Sequence, residues 1–321
     1  MTRAASRLGV VQPALSSTLA KLETESGQKL FNRTSAGLQP TDAGRLMYRL
    51  FLPIMHDFSR AQDVMAGLGD KMFGRVSVGM LSSLVYNIAA PTLIHILNDC
   101  PDVEVSIKEG YSQPLIDLVL SGEIEAALIN RQRDSFGLSS IPVLEEELHL
   151  VTGVAFPRSF DQGVSLAEVA KFNLILPSSQ NTLRSIVEFQ AREKGISLVP
   201  KLSVDSLTTI ISLVETGKWV TILPRVSATT GLASGVLRSY PIESPRLTRS
   251  LQWVHQPRRP LSAPTAKFIQ VANAFLHQAA SLTQRSKETR GREWQEGGSL
   301  WDKFLTPETQ SNCGDDQNRT S

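Results

Sequence analysis

From Arg75 onward, short β-branched runs alternate with amphipathic helical runs, and this order limits the possible folds more than any other feature of the chain. "GRVSVGM" alternates in and out as a strand does, "SSLVYNIAAPTLIHILNDC" has helical spacing, and "VEVSIKE" alternates again. "QPLIDLVLSG" and "EAALIN" complete a β-α-β-α-β series, the pattern of a parallel sheet with crossover helices. The series resumes after "EEELHLVTG" with a helix over Leu166–Ala170, strand "NLILP" and helix "TLRSIVEFQAREKG". Strand "KLSVD", helix "SLTTIISLVETG" and strand "WVTILP" follow, and "RSLQWVHQ" with "APTAKFIQVANAFLHQ" closes the folded part. Two α/β units in succession, with the chain returning late, predict two lobes facing a cleft. The expected lobes are 75–148 plus 256–280, and 149–255.

The front of the chain follows another rule. Thr2–Leu8 places Ala4, Ala5 and Leu8 on one side, Gly9-Val10-Val11 interrupts, and a second helix opens with Pro13 in its first turn. Leu15, Leu19 and Leu22 continue that helix at spacings of four and three. Two helices joined by a short glycine turn are a helix-turn-helix. In "KLFNRTSAGLQPT", Leu30-Phe31 is an apolar anchor and Ser35-Ala36-Gly37 a turn between short extended pieces, a small wing. Residues 1–40 thus form a winged helix-turn-helix.

Thr41 then caps a new helix, with Asp42 in its first turn. From Leu46, the apolar residues Leu50, Ile54, Phe58, Ala61, Met65 and Leu68 recur at spacings of 4, 4, 4, 3, 4 and 3. Residues 41–70 are therefore a linker helix whose apolar edge suits a dimer seam. Pro53 should kink it or lose a backbone bond, at about 3 kcal/mol.

Charge separates the regions more clearly than composition does. The whole chain has a net charge of +2, but residues 1–49 carry seven Lys and Arg against three Asp and Glu, an excess that suits an anionic partner or a solvated helix face. Cys100 and Cys313 form no disulfide framework or metal-ligand spacing, and the five histidines are scattered. No secretory signal and no apolar run of membrane-spanning length is present, so the chain is expected in the cytoplasm, with no membrane partner. Residues 281–321 are mostly polar and are expected to be disordered, with a sticky segment around "SLWDKFL".

Catalytic and cofactor signatures are missing. "VETGKWV" lacks the upstream glycine of a P-loop, and G-x-S-x-G, H-E-x-x-H and G-x-G-x-x-G do not occur. Glu145-Glu146-Glu147 reads as a solvated connector. No enzyme, metal or cofactor is expected. What stands out is hydroxyls at helix starts directly after strands: Ser82 and Ser83, Ser178 through Asn181 and Thr182, and Ser206. Ligands of open α/β sheets sit at such strand ends, and helix N-termini there favour anions. Simple N-capping explains each serine taken singly. Together they, with Arg131 as a charge partner, are candidates for holding a small, anionic effector.

"TRAASRLGVVQPALSSTLAKLE", then Gly27–Arg33 as G-x-x-L-F-x-R and "LQPTDAG" at 38–44, closely resemble the DNA-binding domain of LysR-type transcriptional regulators. "FGRVSVGM", the text at 144–151 and the order of elements extend the resemblance over about residues 1–280. In general look the chain is similar to the branch that includes the nitrogen assimilation control protein. The resemblance implies a winged helix-turn-helix, a linker helix and a two-lobe effector domain like that of periplasmic solute-binding proteins. It implies that the helix over Gln12–Glu25 enters the major groove of double-stranded DNA. Gln12, Pro13, Ser16, Ser17 and Thr18 would then face the groove, while Ala14, Leu15, Leu19 and Leu22 fill the core. Gln12 suits an adenine edge, Arg33 the backbone or minor groove, and Arg3, Lys21 and Lys29 the phosphates.

Two features depart from the family pattern. Val11 stands where a capping serine is usual, forgoing about 1 kcal/mol. The family also has a complete helix ahead of this motif, so the chain resembles a domain lacking its first helix, with Ala5, Leu8, Leu15 and Leu19 partly exposed. The leading expectation is a homodimeric or homotetrameric regulator whose promoter binding responds to an effector in the cleft. The alternative is a cytosolic solute-binding sensor that has lost DNA binding through truncation.

Overall fold

The computed structural model describes residues 1–34, 37–66, 72–132, 136–161 and 163–285. The turn at Ser35-Ala36, the helix end expected at 67–70 and the tail from 286 lie outside the described residues. The chain divides into two compact units, Met1–Gly69 with the turn Leu120–Glu123, and the remainder.

In the first unit, α1 (Thr2–Arg7) and α2 (Gln12–Ser26) are followed by β1 (Phe31–Thr34), β2 (Gly37–Pro40) and α3 (Asp42–Ala66). The break between α1 and α2 is made by Gly9 at φ +64°, a left-handed conformation that a side chain would oppose. β1 and β2 pair antiparallel with Phe31 opposite Pro40, forming the expected wing. Thr41 joins wing to helix. Its hydroxyl donates to Lys29 O at 2.6 Å and accepts from Gly44 N at 3.0 Å, while its own N–H donates to Leu30 O. Gly44 is required by close approach: a Cβ there would lie 2.2 Å from Leu30 O.

Packing in this unit leaves Leu8, Leu15 and Leu19 partly exposed, as expected, and departs from expectation at Ala14, Leu22 and Ala5. Leu15 and Leu19 are only half-buried, Ala14 and Leu22 are exposed, and none of α2 is fully covered. Ala5, expected to be partly exposed, is 3% exposed, and Leu30 is buried alike. The turn after α1 folds back onto it at Ala5, where Val10 N donates to Ala5 O at 3.0 Å. α3 runs through Pro53 as one helix and exposes Leu46, Leu50, Ile54, Phe58 and Met65.

The second unit begins with β3 (Gly74–Leu81), α4 (Ser82–Leu84), a π turn over Val85–Ala89 and α5 (Ala90–Asp99). It continues through β4 (Val103–Gly110), α6 (Ser112–Leu120), β5 (Ala126–Asn130) and the long β6 (Ser139–Gly153). Then come β7 (Val164–Ser165), α7 (Leu166–Val169), β8 (Leu174–Leu176), α8 (Thr182–Arg192), β9 (Leu202–Ser203) and α9 (Leu207–Glu215). β10 (Val220–Pro224), a 3-10 turn over Arg225–Ala228, α10 (Thr229–Ala233), β11 (Leu237–Ser244), β12 (Thr248–His255) and α11 (Ala263–Arg285) complete it.

β3 pairs parallel with β4 and β5, and β8 parallel with β9 and β10, as βαβ crossovers require. The two groups are joined by β6, whose first part pairs antiparallel with β12 and whose last residues pair with β10 and β11. β12 pairs antiparallel with β5 along Leu251–His255, and Leu251 and Trp253 pack into the first lobe's core beside Phe268. The strand at 248–255 therefore belongs to the first lobe, not with 149–255. Its pairing partners are remote in sequence, so no local pattern reveals the assignment. A separate core in the second lobe gathers Leu150, Ile175, Val187, Ile210 and Ile222.

Candidate functional site

In the first unit the candidate DNA-binding surface is α2 and the wing. Val11, extended at φ −75° and ψ 143°, places Pro13 in the first turn but offers no side-chain cap. Gln12, Pro13, Ser17 and Thr18 are exposed and Ser16 is half-buried, with Gln12 Nε2 donating to Ser16 Oγ at 3.4 Å. Thr18 is turned inward at its hydroxyl, which donates to Ala14 O at 3.0 Å. Lys21 lies 3.9 Å from Glu25, an exposed pair of little energetic weight. Lys29 is held more firmly, at 2.9 Å from Glu23. Arg3 and Arg33 are exposed.

Glu23, which sequence reasoning left unassigned, organises the join between α2 and the wing. One of its oxygens accepts from Leu30 N at 2.8 Å and Phe31 N at 3.2 Å, and the other meets Lys29 Nζ. The Lys29 hydrogen bond and these backbone donors hold its carboxyl below the usual value, outweighing the opposing effect of burial.

In the second unit, a narrow cavity of about 40 Å³ lies between the lobes. Ser82, Ser83 and Asn181, three of the sequence-predicted residues, line it with Tyr111, Asn130, Asp205 and Arg249, which were not predicted. A wider cavity of about 590 Å³ shares Ser82, Asp205 and Leu207 with it and adds Ser206. Ser178 lies just behind, its N–H donating to Asp205 Oδ1 at 2.8 Å. Thr182 is the first residue of α8, and Arg131 is exposed, its backbone N–H on Ser250 O; neither lines these cavities.

The lobes are tied across the cavity. The Tyr111 hydroxyl, on the first lobe, hydrogen-bonds Asp205 and Asn181 on the second. Burial, then the Asp205 carboxylate, pushes the Tyr111 phenol up to about 12. Burial opposes ionisation of Asp205 too, yet donors from Ser178 and Tyr111 prevail and hold its carboxyl below the ordinary range. A second tie runs from Asn87 Nδ2 to Val226 O at 2.6 Å and from Thr230 Oγ1 to Asn87 Oδ1 at 3.2 Å. Both ties make the cavity dependent on how the lobes are set.

Two of the three expected anion-binding helix starts, those of α8 and α9, are already capped, while α4 at Ser82 has no side-chain cap. Asn181 Oδ1 accepts from Leu183 N at 2.9 Å and Ser206 Oγ from Thr209 N at 3.3 Å, so these side chains cap their own helices. Ser83 Oγ accepts from Arg249 Nη1 at 2.8 Å. The Arg249 guanidinium is 1% exposed and pairs with Glu146 at 2.6 Å. Glu146 thus lies in the crossing strand β6 as a half-buried partner, at 12% side-chain exposure, and not on a solvated connector. No local signal marks it, because an alternating strand and a solvated carboxylate run read alike in sequence. Asn130 and Tyr111 were marked only by their positions at strand ends, where polar residues are common for many reasons.

Residues 1–45 match the bacterial regulatory helix-turn-helix family of the LysR type, and residues 69–276 match the LysR substrate binding domain. The chain is 31% identical over 290 residues to the nitrogen assimilation regulatory protein nac of Klebsiella aerogenes, covering 89% of this chain and 92% of that one. A full-length OxyR variant from Pseudomonas aeruginosa shares the fold with a TM-score of 0.67 at 21% identity, covering 87% of this chain and 90% of its own. Full-length CbnR in complex with its target DNA does so with a TM-score of 0.62 at 20% identity, covering 85% and 93%. The helix-turn-helix and the two-lobe domain, matched in order along one chain, make this protein a member of the LysR family of bacterial transcriptional regulators.

Proposed function

We propose that this regulator binds promoter DNA as a homodimer or homotetramer, and that a small molecule in the interlobe cleft modulates the binding. It acts in the cytoplasm, and its work is control of transcription, not catalysis. One observation carries the DNA-binding part: Gln12, Pro13, Ser17 and Thr18 stand exposed at the uncapped start of α2, beside a wing carrying Arg33. An uncapped helix start and short polar side chains suit close approach to a groove floor. Gln12 supplies a bidentate amide for an adenine edge, and Ser16, Ser17 and Thr18 supply hydroxyls for bases or phosphates. Arg3, Lys21 and Arg33 serve phosphates, Lys29 less so because Glu23 already holds it.

In the cleft, Ser82, Asn181 and Ser206 are the predicted residues retained as candidate effector contacts. Tyr111 and Asp205 couple them to the setting of the lobes. An effector that binds one lobe setting better than another shifts the population between them, and thereby the DNA-bound state.

Fluorescence anisotropy with duplex from upstream of the protein's own gene tests the DNA-binding reading, with a scrambled duplex alongside. A dimer neutralising about 6–10 phosphates loses roughly 10³–10⁵ in affinity between 50 and 200 mM salt. Gln12→Ala should erode the preference for the genomic duplex by about 1–3 kcal/mol while sparing the salt slope. Equal, salt-insensitive binding of both duplexes would overturn the proposal.

A further inference from the structure

This inference rests on the cleft reading above and concerns the chemistry the cleft selects. The narrow and wide cavities share Ser82, Asp205 and Leu207 and so form one recess. Glu109 from β4, Asp205 from the loop before α9 and Glu215 from the end of α9 line the wide part together with several hydroxyls, and among the described residues no Lys or Arg does. The one cation of the narrow part among the described residues, Arg249, is neutralised by Glu146 and directed onto Ser83.

A second, independent observation lies deeper. Asn130, at the end of β5, is 2% exposed, lines the narrow part, and its Oδ1 has no hydrogen-bond partner. A buried carbonyl oxygen without a donor is uncommon and favours a ligand that brings one. Asp205 is a second acceptor on the same recess, and the bonds from Ser178 and Tyr111 favour its charged form. At two of the three helix starts beside the recess an N–H that could draw an anion is meanwhile taken, at α8 by Asn181 and at α9 by Ser206.

We propose that the cleft takes a small organic cation, an aliphatic amine or guanidinium, whose N–H groups donate to Asp205 and to Asn130 Oδ1. Glu109 and Glu215, both exposed, supply the negative field at the entrance. Such a ligand competes with the Tyr111 hydroxyl for Asp205, and so bears directly on the tie between the lobes.

Calorimetric titration of the full chain with agmatine and putrescine, against succinate and glutarate as carboxylates of similar length, tests the proposal. The amines should bind and the dicarboxylates should not. Asp205→Asn should weaken amine binding at least about tenfold, the loss expected for one charge-assisted hydrogen bond. Asp117→Asn, on an exposed face of α6, should leave it unchanged. Should Asp205→Asn fail to fold, Glu109→Gln gives the second reading, with a smaller loss that fades as salt is raised.

Binding of the dicarboxylates alone, or of neither pair, overturns the cation class. Amine binding that survives both Asp205→Asn and Asn130→Leu overturns it as well, by placing the ligand elsewhere. Dicarboxylate binding that Asn130→Leu abolishes sinks this proposal yet keeps the cleft as the effector site. The DNA titration above reads out separately from all of these.

Discussion

Glu23 accepts from Leu30 N, Phe31 N and Lys29 Nζ at once, so a single carboxylate fastens the end of α2 to the first strand of the wing. Its carboxyl is lowered from the ordinary 4.5 in the folded chain. A lowered folded value means that its stabilising contribution is present above the unfolded value and is lost as the pH falls through the folded one. Acid should therefore loosen the join between α2 and the wing. The protection factors of the Leu30 and Phe31 amides, followed from pH 6 downward by hydrogen exchange, should fall below about pH 4.5. Glu23→Gln should remove that pH dependence. The identity of Glu23 was legible, its task was not, because its partners lie six to eight residues away across a turn. Gly44 has the same character: it reads as a weak helix residue until Leu30 O is found where a Cβ would stand.

Among the elements, helices and strands with strong periodicity were legible nearly to their ends. α3 is the clearest, a spacing of four and three that becomes a helix from Asp42 to Ala66 with Leu50, Ile54 and Phe58 more than half exposed. An apolar stripe of that length suits a second copy of the same helix. Ile54→Glu at the middle of the stripe should weaken self-association on the order of a hundredfold, read by sedimentation equilibrium, since it puts an unpaired charge on the seam. Far-UV circular dichroism should be unchanged, as glutamate is a good helix former. Pro53, expected to kink the helix or cost it a backbone bond, does not end it. β6 is the opposite case, a long strand whose Glu145-Glu146-Glu147 run resembles a solvated connector although it crosses from one lobe to the other.

At the scale of the whole second unit, the decisive contacts join segments far apart in sequence. Arg249 on β12, Glu146 on β6 and Ser83 on α4 meet inside the hinge region, with Arg249 almost fully buried. Removing one partner of a buried pair leaves the other uncompensated, so Arg249→Ala should destabilise the fold by about 3–5 kcal/mol in denaturant unfolding. Arg249→Met with Glu146→Leu should recover much of that, because both charges then leave together.

Alternation of β-branched and helical runs, the glycine turn between α1 and α2 and the stripe on α3 are local and periodic. They depend on backbone geometry that each short segment carries with it, and the sequence by itself determined them, together with the order of domains and the family. Which strand belongs to which lobe, which serines cap helices and which face the cleft, and where Tyr111, Asp205, Asn130 and Arg249 converge were decided only by the tertiary structure. Those outcomes depend on pairing and burial between residues tens to more than a hundred positions apart, and a charge or hydroxyl reads the same in sequence whether its partner is water or a distant side chain.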